Sequence, residues 1–344
     1  MESLESTDPL PLPRYTVGLT YNLKKGIKSD VEDIEAEYDS IDTVQAIKKA
    51  LENLNCRVEL LEADSDILKR IYDAKVDIVF NIAEGTYGRG REAQIPAILD
   101  FLKIPFTGSD ETSLCISLDK ALSKRILSTY GVKTPRYQLL YNSRPRIDKN
   151  LKYPLIVKPN AEGSSKGISD FAIVHDKNEL DLLLEKDFKI YGGPMLVEEY
   201  IQGREFTVAI AGNDKNSVVF PPMEIRYKNS GQKYNIYSYK VKKNYKKYID
   251  YLCPAPLDAK TETRLTEISK KIYDVLECRD FARIDFRMSE DDEIYFIEIN
   301  PLPGLTPGYS DYPMIAEFNG VEYGTVIKMI LNSALARYGM QPVE

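Results

Sequence analysis

The chain has no tryptophan, one histidine and four cysteines among 344 residues, and each scarcity closes off a chemistry. One histidine cannot build a His-rich metal site, and it argues against a His-dependent catalytic triad. That residue, His175, sits in Ile173-Val174-His175-Asp176, which reads as the end of a strand. Cys56, Cys115, Cys253 and Cys278 are scattered without CxxC spacing, so the expectation is reduced thiols rather than zinc ligands or a disulfide framework. A basic excess is also missing: 46 Lys and Arg stand against 53 Asp and Glu, a net charge of −7, which points away from nucleic acid as a partner. Apolar runs long enough to cross a membrane are absent too. No GxxxxGK[ST] occurs, and no GxGxxG opens a helix, so neither a Walker loop nor a dinucleotide fingerprint is present. With the thiols, these absences make the cytoplasm the expected location, and no internal repeat is visible.

What is present is an ordinary globular composition, 43% hydrophobic and 29% charged, at a length that allows two or three domains. Residues 1–14 are acidic and proline-rich and read as a loose tail. From Tyr15 the pattern alternates. Residues 15–20 form a strand, 24–32 a polar loop, and 33–54 a helix with Ile41, Val44, Ile47, Ala50 and Leu51 at helical spacing. Arg57–Leu61 is a strand, Ile67–Asp73 a short helix, and Val76–Asn81 an apolar run typical of a buried parallel strand. Such alternation predicts an open α/β sheet over 15–111, whose ligands gather at the carboxyl ends of the strands. Glu84-Gly85-Thr86-Tyr87-Gly88-Arg89-Gly90-Arg91 falls at one of those ends, where its arginines are expected to meet anions. A second unit spans 112–197, with a helix over 119–130, strands at 153–159, 171–174 and 195–200, and a helix near 177–186. A third spans 198–344, with strands at 205–211 and 217–224, a helix at 260–276, a pair of strands and a closing helix near 323–337. Its Tyr- and Lys-rich stretch, 227–248, is long enough to act as a lid over a site, though a solvated loop is the simpler alternative.

The strongest local signal is the pair Phe281-Ala282-Arg283-Ile284-Asp285-Phe286 and Ile294-Tyr295-Phe296-Ile297-Glu298-Ile299-Asn300, joined by a polar turn. With the turn centred on Asp291-Asp292, Asp285 should lie opposite Glu298 and Arg283 opposite Asn300. Opposed carboxylates repel unless something cationic sits between them, and an all-oxygen set suits Mg²⁺. A solvated face on which Arg283 balances the acids is the open alternative. Glu162-Gly163-Ser164-Ser165-Lys166-Gly167 follows the strand that ends at Lys158; its small residues either bring N–H groups onto phosphate oxygens or form a plain flexible loop. Lys120, Lys158, Glu198, Glu199 and Glu205 each read equally as charges at element ends.

Taken together and in this order, Asp119-Lys120, Ile156-Val157-Lys158-Pro159, Glu162-Gly163-Ser164-Ser165, Glu198-Glu199-Tyr200-Ile201 with Glu205, and Phe281–Asp285 with Glu298-Ile299-Asn300 resemble the ATP-grasp superfamily, and within it the D-alanine–D-alanine ligases. The resemblance runs from about Tyr15 to the C-terminus. It implies an α/β ATP-grasp fold behind an N-terminal open α/β domain, with ATP and Mg²⁺ (Mn²⁺ as the alternative ion) as cofactors and small amino acids as substrates. Lys120 and Lys158 would contact phosphates, under a loop in which Glu162, Gly163 and Ser165 serve the nucleotide and Ser164 the chemistry. Glu198, Glu199, Tyr200 and Ile201 would hold the adenine edge and Glu205 the ribose. Asp285, Glu298 and Asn300 would hold two metal ions, and Lys242 would reach the γ-phosphate. Arg283 and the Gly304 N–H would stabilise the tetrahedral oxyanion. Glu37, in Glu35-Ala36-Glu37-Tyr38, either holds a substrate ammonium as a family acid does or is a surface acid. The implied reaction phosphorylates a carboxylate and then lets an amine displace the phosphate, with positioning and charge in place of a histidine. The resemblance leaves room for a homodimer.

The sequence also departs from that family. Glu84-Gly85 stands where a His-Gly loop is common, and Lys243 where many members have tyrosine. Pro301-Leu302-Pro303-Gly304-Leu305 is followed by Tyr309-Ser310-Asp311, where a Ser-Leu pair is frequent. These departures lie, by resemblance, around the amino-acid pocket, and they predict that D-alanine is not the best substrate at both positions. The competing functions are an ATP-grasp ligase for another amino acid, hydroxy acid or peptide, and a nucleotide-binding protein without turnover. The intact Arg283, Asp285, Glu298 and Asn300 set argues against the last.

Overall fold

A computed structural model describes residues 13–26, 35–163, 172–228 and 235–344. The first sheet is parallel, in the order β2 (Cys56–Glu62), β1 (Tyr15–Tyr21), β3 (Ile78–Asn81). Alternate side chains of β1 and β3 serve opposite faces. Val17, Leu19, Ile78 and Phe80 pack with α1 (Ile41–Asn53) and α11 (Tyr323–Arg337), whereas Val79 packs with Leu61, Ile71 of α2 (Ile67–Ala74) and Leu99 of α3 (Gln94–Phe101). Helix α1 starts at Ile41 rather than near 33. Ser40 caps it by accepting the Thr43 N–H at 3.3 Å, and 35–37 form a turn. Val44, Ile47, Ala50 and Leu51 are buried as their spacing predicts, but Ile41 is exposed.

The second sheet is antiparallel, in the order β4 (Tyr137–Leu140), β7 (Met195–Glu199), β5 (Leu155–Pro159), β6 (Ile173–Val174), and it packs on α6 (Lys177–Tyr191). Two short helices precede it, α4 (Glu111–Leu118) and α5 (Lys120–Thr129). Asp119 caps α5 by accepting the Leu122 N–H at 2.9 Å.

The third sheet runs β11 (Ile249–Leu252), β10 (Met223–Tyr227), β8 (Gly203–Ala211), β12 (Phe281–Ser289), β13 (Ile294–Asn300), with β9 (Val218–Val219) beside β8. The single strand expected over 217–224 is two, because Pro221 and Pro222 have no N–H to give a ladder. Helices α9 (Ala259–Val275) and α5 cover one face. On the other, α10 (Asp311–Phe318) and α11 join the third sheet to the first through one continuous core that holds Ala209, Phe281, Tyr312, Ile330 and Leu19. Arg337, at the end of α11, pins this junction: it donates to Asp280 and to the Phe106 carbonyl, both at 2.8 Å.

The Tyr- and Lys-rich stretch is not one loop. It begins in β10 and includes the short helices α7 (Tyr239–Lys243) and α8 (Tyr245–Tyr248) before β11. All four cysteines are free thiols. Among the described residues no helix is long and apolar enough to cross a membrane.

Candidate active site

Two clefts meet at the third sheet. One lies between the second and third sheets. Lys158, Glu198 to Ile201 and Glu205 line it, together with Tyr237, Lys242, Arg283, Asp285, Arg287 and Glu298. The other lies toward the carboxyl ends of β1 and β3, lined there by Glu37, Asp39, Glu84 and Glu92, and on the far side by Lys242, Arg283, Glu298, Asn300, Gly304 and Ser310. Lys242, Arg283 and Glu298 belong to both. Both are concave and lined by a few convergent polar and charged side chains, as small-molecule sites are.

The β12–β13 hairpin supplies the junction. Its register pairs Asp285 with Glu298 and Arg283 with Asn300, with a bulge after Asp285. Asp285 accepts two hydrogen bonds from Arg283, at 3.0 and 2.8 Å, and one from Thr207 at 2.7 Å; Asn300 donates to it at 3.4 Å. Lys120 lies 3.3 Å from Glu298. Burial favours the neutral form of Glu298, but Lys120, Lys158 and Arg283 outweigh it and hold the carboxyl down to about 2. Glu298 is therefore charged at neutral pH, and Arg283 pairs with Asp285 across from it. Two carboxylates and an amide oxygen are a hard, all-oxygen set of the kind that suits Mg²⁺, which takes its remaining ligands from phosphates and water. Among the described residues no cluster of three His, Cys, Asp or Glu side chains is placed to cage an ion alone.

Beneath the first cleft lies an ion triad that sequence reasoning half missed. Glu198 is 2% exposed and sits 2.5 Å from Lys158 and 3.1 Å from Lys124. Burial pushes its carboxyl up, yet the two ammonium groups outweigh that and keep it below the ordinary range. Burial and the charge of Lys158 push Lys124 down to about 8. Lys124 was findable: it stands one turn after Lys120 on the same face of α5. Glu205 accepts from the Tyr227 hydroxyl at 2.8 Å and from Arg287 at 3.3 Å, and burial raises its carboxyl. Arg287 also donates to the Tyr200 hydroxyl at 2.9 Å, and Glu199 accepts the Lys152 N–H at 2.9 Å. Burial lowers the ammonium of Lys242.

In the second cleft, Glu37 accepts two hydrogen bonds from Arg91 and the Gly163 N–H at 2.5 Å, while Arg91 also donates to the Ala161 carbonyl at 2.8 Å. Lys120 donates to the Glu162 carbonyl at 2.5 Å. The start of the glycine–serine loop is thus fastened to both walls, whereas Ser164, Ser165, Lys166 and Gly167 fall outside the described residues. The arginines expected to meet anions pair with acids instead, Arg89 with Asp119 at 3.0 Å and Arg91 with Glu37. Lys243, expected beside the amino-acid pocket, is exposed and lines neither cleft. His175 lines neither as well. Asp311, named in the sequence only as part of the Tyr309-Ser310-Asp311 departure, is 1% exposed, accepts from the Tyr237 and Tyr251 hydroxyls at 3.1 Å each, and lies 3.7 Å from Arg283.

Comparison with known proteins agrees with this arrangement. Residues 127–332 match the family model described as the D-ala D-ala ligase C-terminus. The chain is 35% identical over 303 residues to a D-alanine–D-alanine ligase of Thermotoga sp. strain RQ2, covering 88% of this chain and 94% of that protein. It is 33% identical over 294 residues to one from Aquifex aeolicus, covering 85% and 94%. The crystal structure of the Bacillus anthracis D-alanine–D-alanine ligase complexed with ATP superposes with a TM-score of 0.74 at 25% identity, over 94% of this chain and 99% of that one. The fold is the ATP-grasp fold, and with it comes an ATP-dependent, ADP-forming ligase. The chain belongs to the D-alanine–D-alanine ligase family.

Proposed function

We propose that the chain joins the carboxylate of one small amino acid to the amine of another through an acyl phosphate, with D-alanine or a close relative in at least one position. The observation that carries this is the sharing of Lys242, Arg283 and Glu298 between the two clefts. A nucleotide in the first cleft and an amino acid in the second would bring their reacting ends together there. Proximity of that kind can supply much of a barrier reduction.

In this scheme the strand end from Glu199 to Ile201 takes the base and Glu205, steadied by Tyr227 and Arg287, takes the ribose. Lys158, Lys120 and Lys242 meet the phosphates. Asp285, Glu298 and Asn300 would hold Mg²⁺, which would supply charge neutralisation for phosphoryl transfer. Arg283 and the Gly304 N–H face the oxyanion of the second step. Glu37 is held so tightly by Arg91 and Gly163 that its role is to tie the 161–163 segment to the amino-acid cleft; an ammonium would share it with Arg91. The three units 15–111, 112–197 and 198–344 are the frame we assign to these roles, in the cytoplasm. The test is ADP release with Mg²⁺–ATP across D- and L-amino acids, with products identified by mass. Release that depends on an amino acid and yields a dipeptide is expected; amino-acid-independent hydrolysis alone would contradict it.

Ile236, Tyr237 and Lys242 line the nucleotide cleft, and the Tyr200 hydroxyl donates to the Asn235 carbonyl at 2.8 Å. These contacts support reading residues 235–248 as a lid over bound ATP. Tryptic cleavage at Lys242, Lys243, Lys246 and Lys247 should slow several-fold when Mg²⁺–ATP is added. Equal cleavage with and without nucleotide would remove the lid.

A further inference from the structure

The second cleft holds more carboxyl groups than an alanine needs. Glu37 is answered by Arg91, but Glu84 and Glu92 are not: among the described residues neither has a hydrogen-bond or ion-pair partner. Glu92 is 7% exposed and faces the cleft, as does the half-buried Glu84. Local structure holds the two together. Gly85 adopts φ +75°, and a Cβ there would come within 2.0 Å of the Arg91 carbonyl oxygen, so only glycine lets the Glu84 turn lie against the segment that carries Glu92. The Gly85 N–H also donates to Asn22 at 2.9 Å, which fixes that turn to the end of β1.

Buried acids without partners are costly, and a protein keeps them where something else completes them. Burial pushes Glu92 up to about 8 and Glu84 well above the carboxylate range; each repels the other or Glu37, while Arg91 pulls both back and Lys120 pulls Glu92 back. Asp39, on the same wall, is raised by burial to about 7 against the charge of Lys24, and Glu162 adds to the repulsion on Glu92. A cation bound beside Glu84 and Glu92 would draw both carboxyls back down.

We propose that Glu84 and Glu92 form a subsite for a second ammonium group, so that the chain ligates a diamino acid at one of its two substrate positions instead of alanine at both. This rests on the second cleft being the amino-acid site. A side-chain ammonium would give the two carboxyls a hydrogen-bonding cation that a neutral side chain of the same length cannot.

The experiment uses the full chain with Mg²⁺–ATP and D-alanine. It adds D- and L-diamino acids from diaminopropionate to lysine, each beside its neutral analogue (alanine to norleucine), and beside aspartate and glutamate. ADP release and product mass are read, and binding heats are measured in buffers of different ionisation enthalpy. One diamino acid is expected to exceed its neutral analogue in kcat/KM by about tenfold or more, with protons released on binding, and E84Q/E92Q should bring that ratio toward one. Equal or faster turnover of neutral or dicarboxylic amino acids overturns the subsite. Should no amino acid release ADP, the ligase reading falls by itself, and the heats still decide: a diamino acid that binds no better than its neutral analogue overturns the subsite too.

Discussion

Replacing Glu298 by glutamine, or Asp285 by alanine, is expected to lower kcat by about 10²–10³-fold while the protein stays folded, the loss usual when one group that stabilises transition-state charge is removed. The reason is geometric. The two acids face each other across the β12–β13 ladder, where the nucleotide and amino-acid clefts join. Removing either charge leaves Lys120 or Arg283 short of its partner and weakens the hold on Mg²⁺. Titrating Mg²⁺ in the steady state separates the two effects: a metal-binding role raises the Mg²⁺ concentration needed for half activity. Unchanged Mg²⁺-dependent turnover in both variants would show that the hairpin acids are only a balanced surface pair.

Glu198→Ala should instead damage stability, by about 3–5 kcal/mol, because it strands Lys124 and Lys158 as buried charges. Both lysines and Glu198 are almost fully buried, so little solvent screening softens the loss. The pH dependence has a definite sign. Glu198 titrates lower when folded than when unfolded, so its contribution is complete above the ordinary carboxylate range and fades as pH falls through its folded value. Urea midpoints of wild type and variant should therefore converge on acidification and lie furthest apart near neutrality. A midpoint for the variant equal to wild type at neutral pH would mean that solvent or another acid reaches the two lysines.

Much of this was legible in the sequence where one period or one cap decides the outcome. The alternation through Phe281–Asp285 and Glu298–Asn300, with an acidic turn between, was enough to set which side chains face each other, and the register agrees. Asp119 and Lys120 mark the start of α5 because a capping acid precedes a helical pattern. Short elements without such signals were not legible. Helices α3, α4 and α10 have eight residues each, and strands β4 and β11 four each, too few to show a period. The charge partners in the clefts were hidden for a different reason. Arg91 and Glu37 are 54 residues apart, and Glu84 and Glu92 line one cleft because Gly85 turns the chain against the Arg91 backbone. Lys243 looked like a pocket residue by position, yet it lies at the end of the short helix α7, exposed beyond both clefts.

The central claim is that a carboxylate in the second cleft is phosphorylated by a nucleotide in the first. It is tested most directly by supplying the amino acid with ¹⁸O in both carboxylate oxygens and examining the phosphate released during ligation. Attack on the γ-phosphorus followed by displacement by the amine carries one carboxylate oxygen away, so each phosphate should contain one ¹⁸O, with ADP formed in equal amount. Unlabelled phosphate, or AMP and pyrophosphate in place of ADP, would contradict the account.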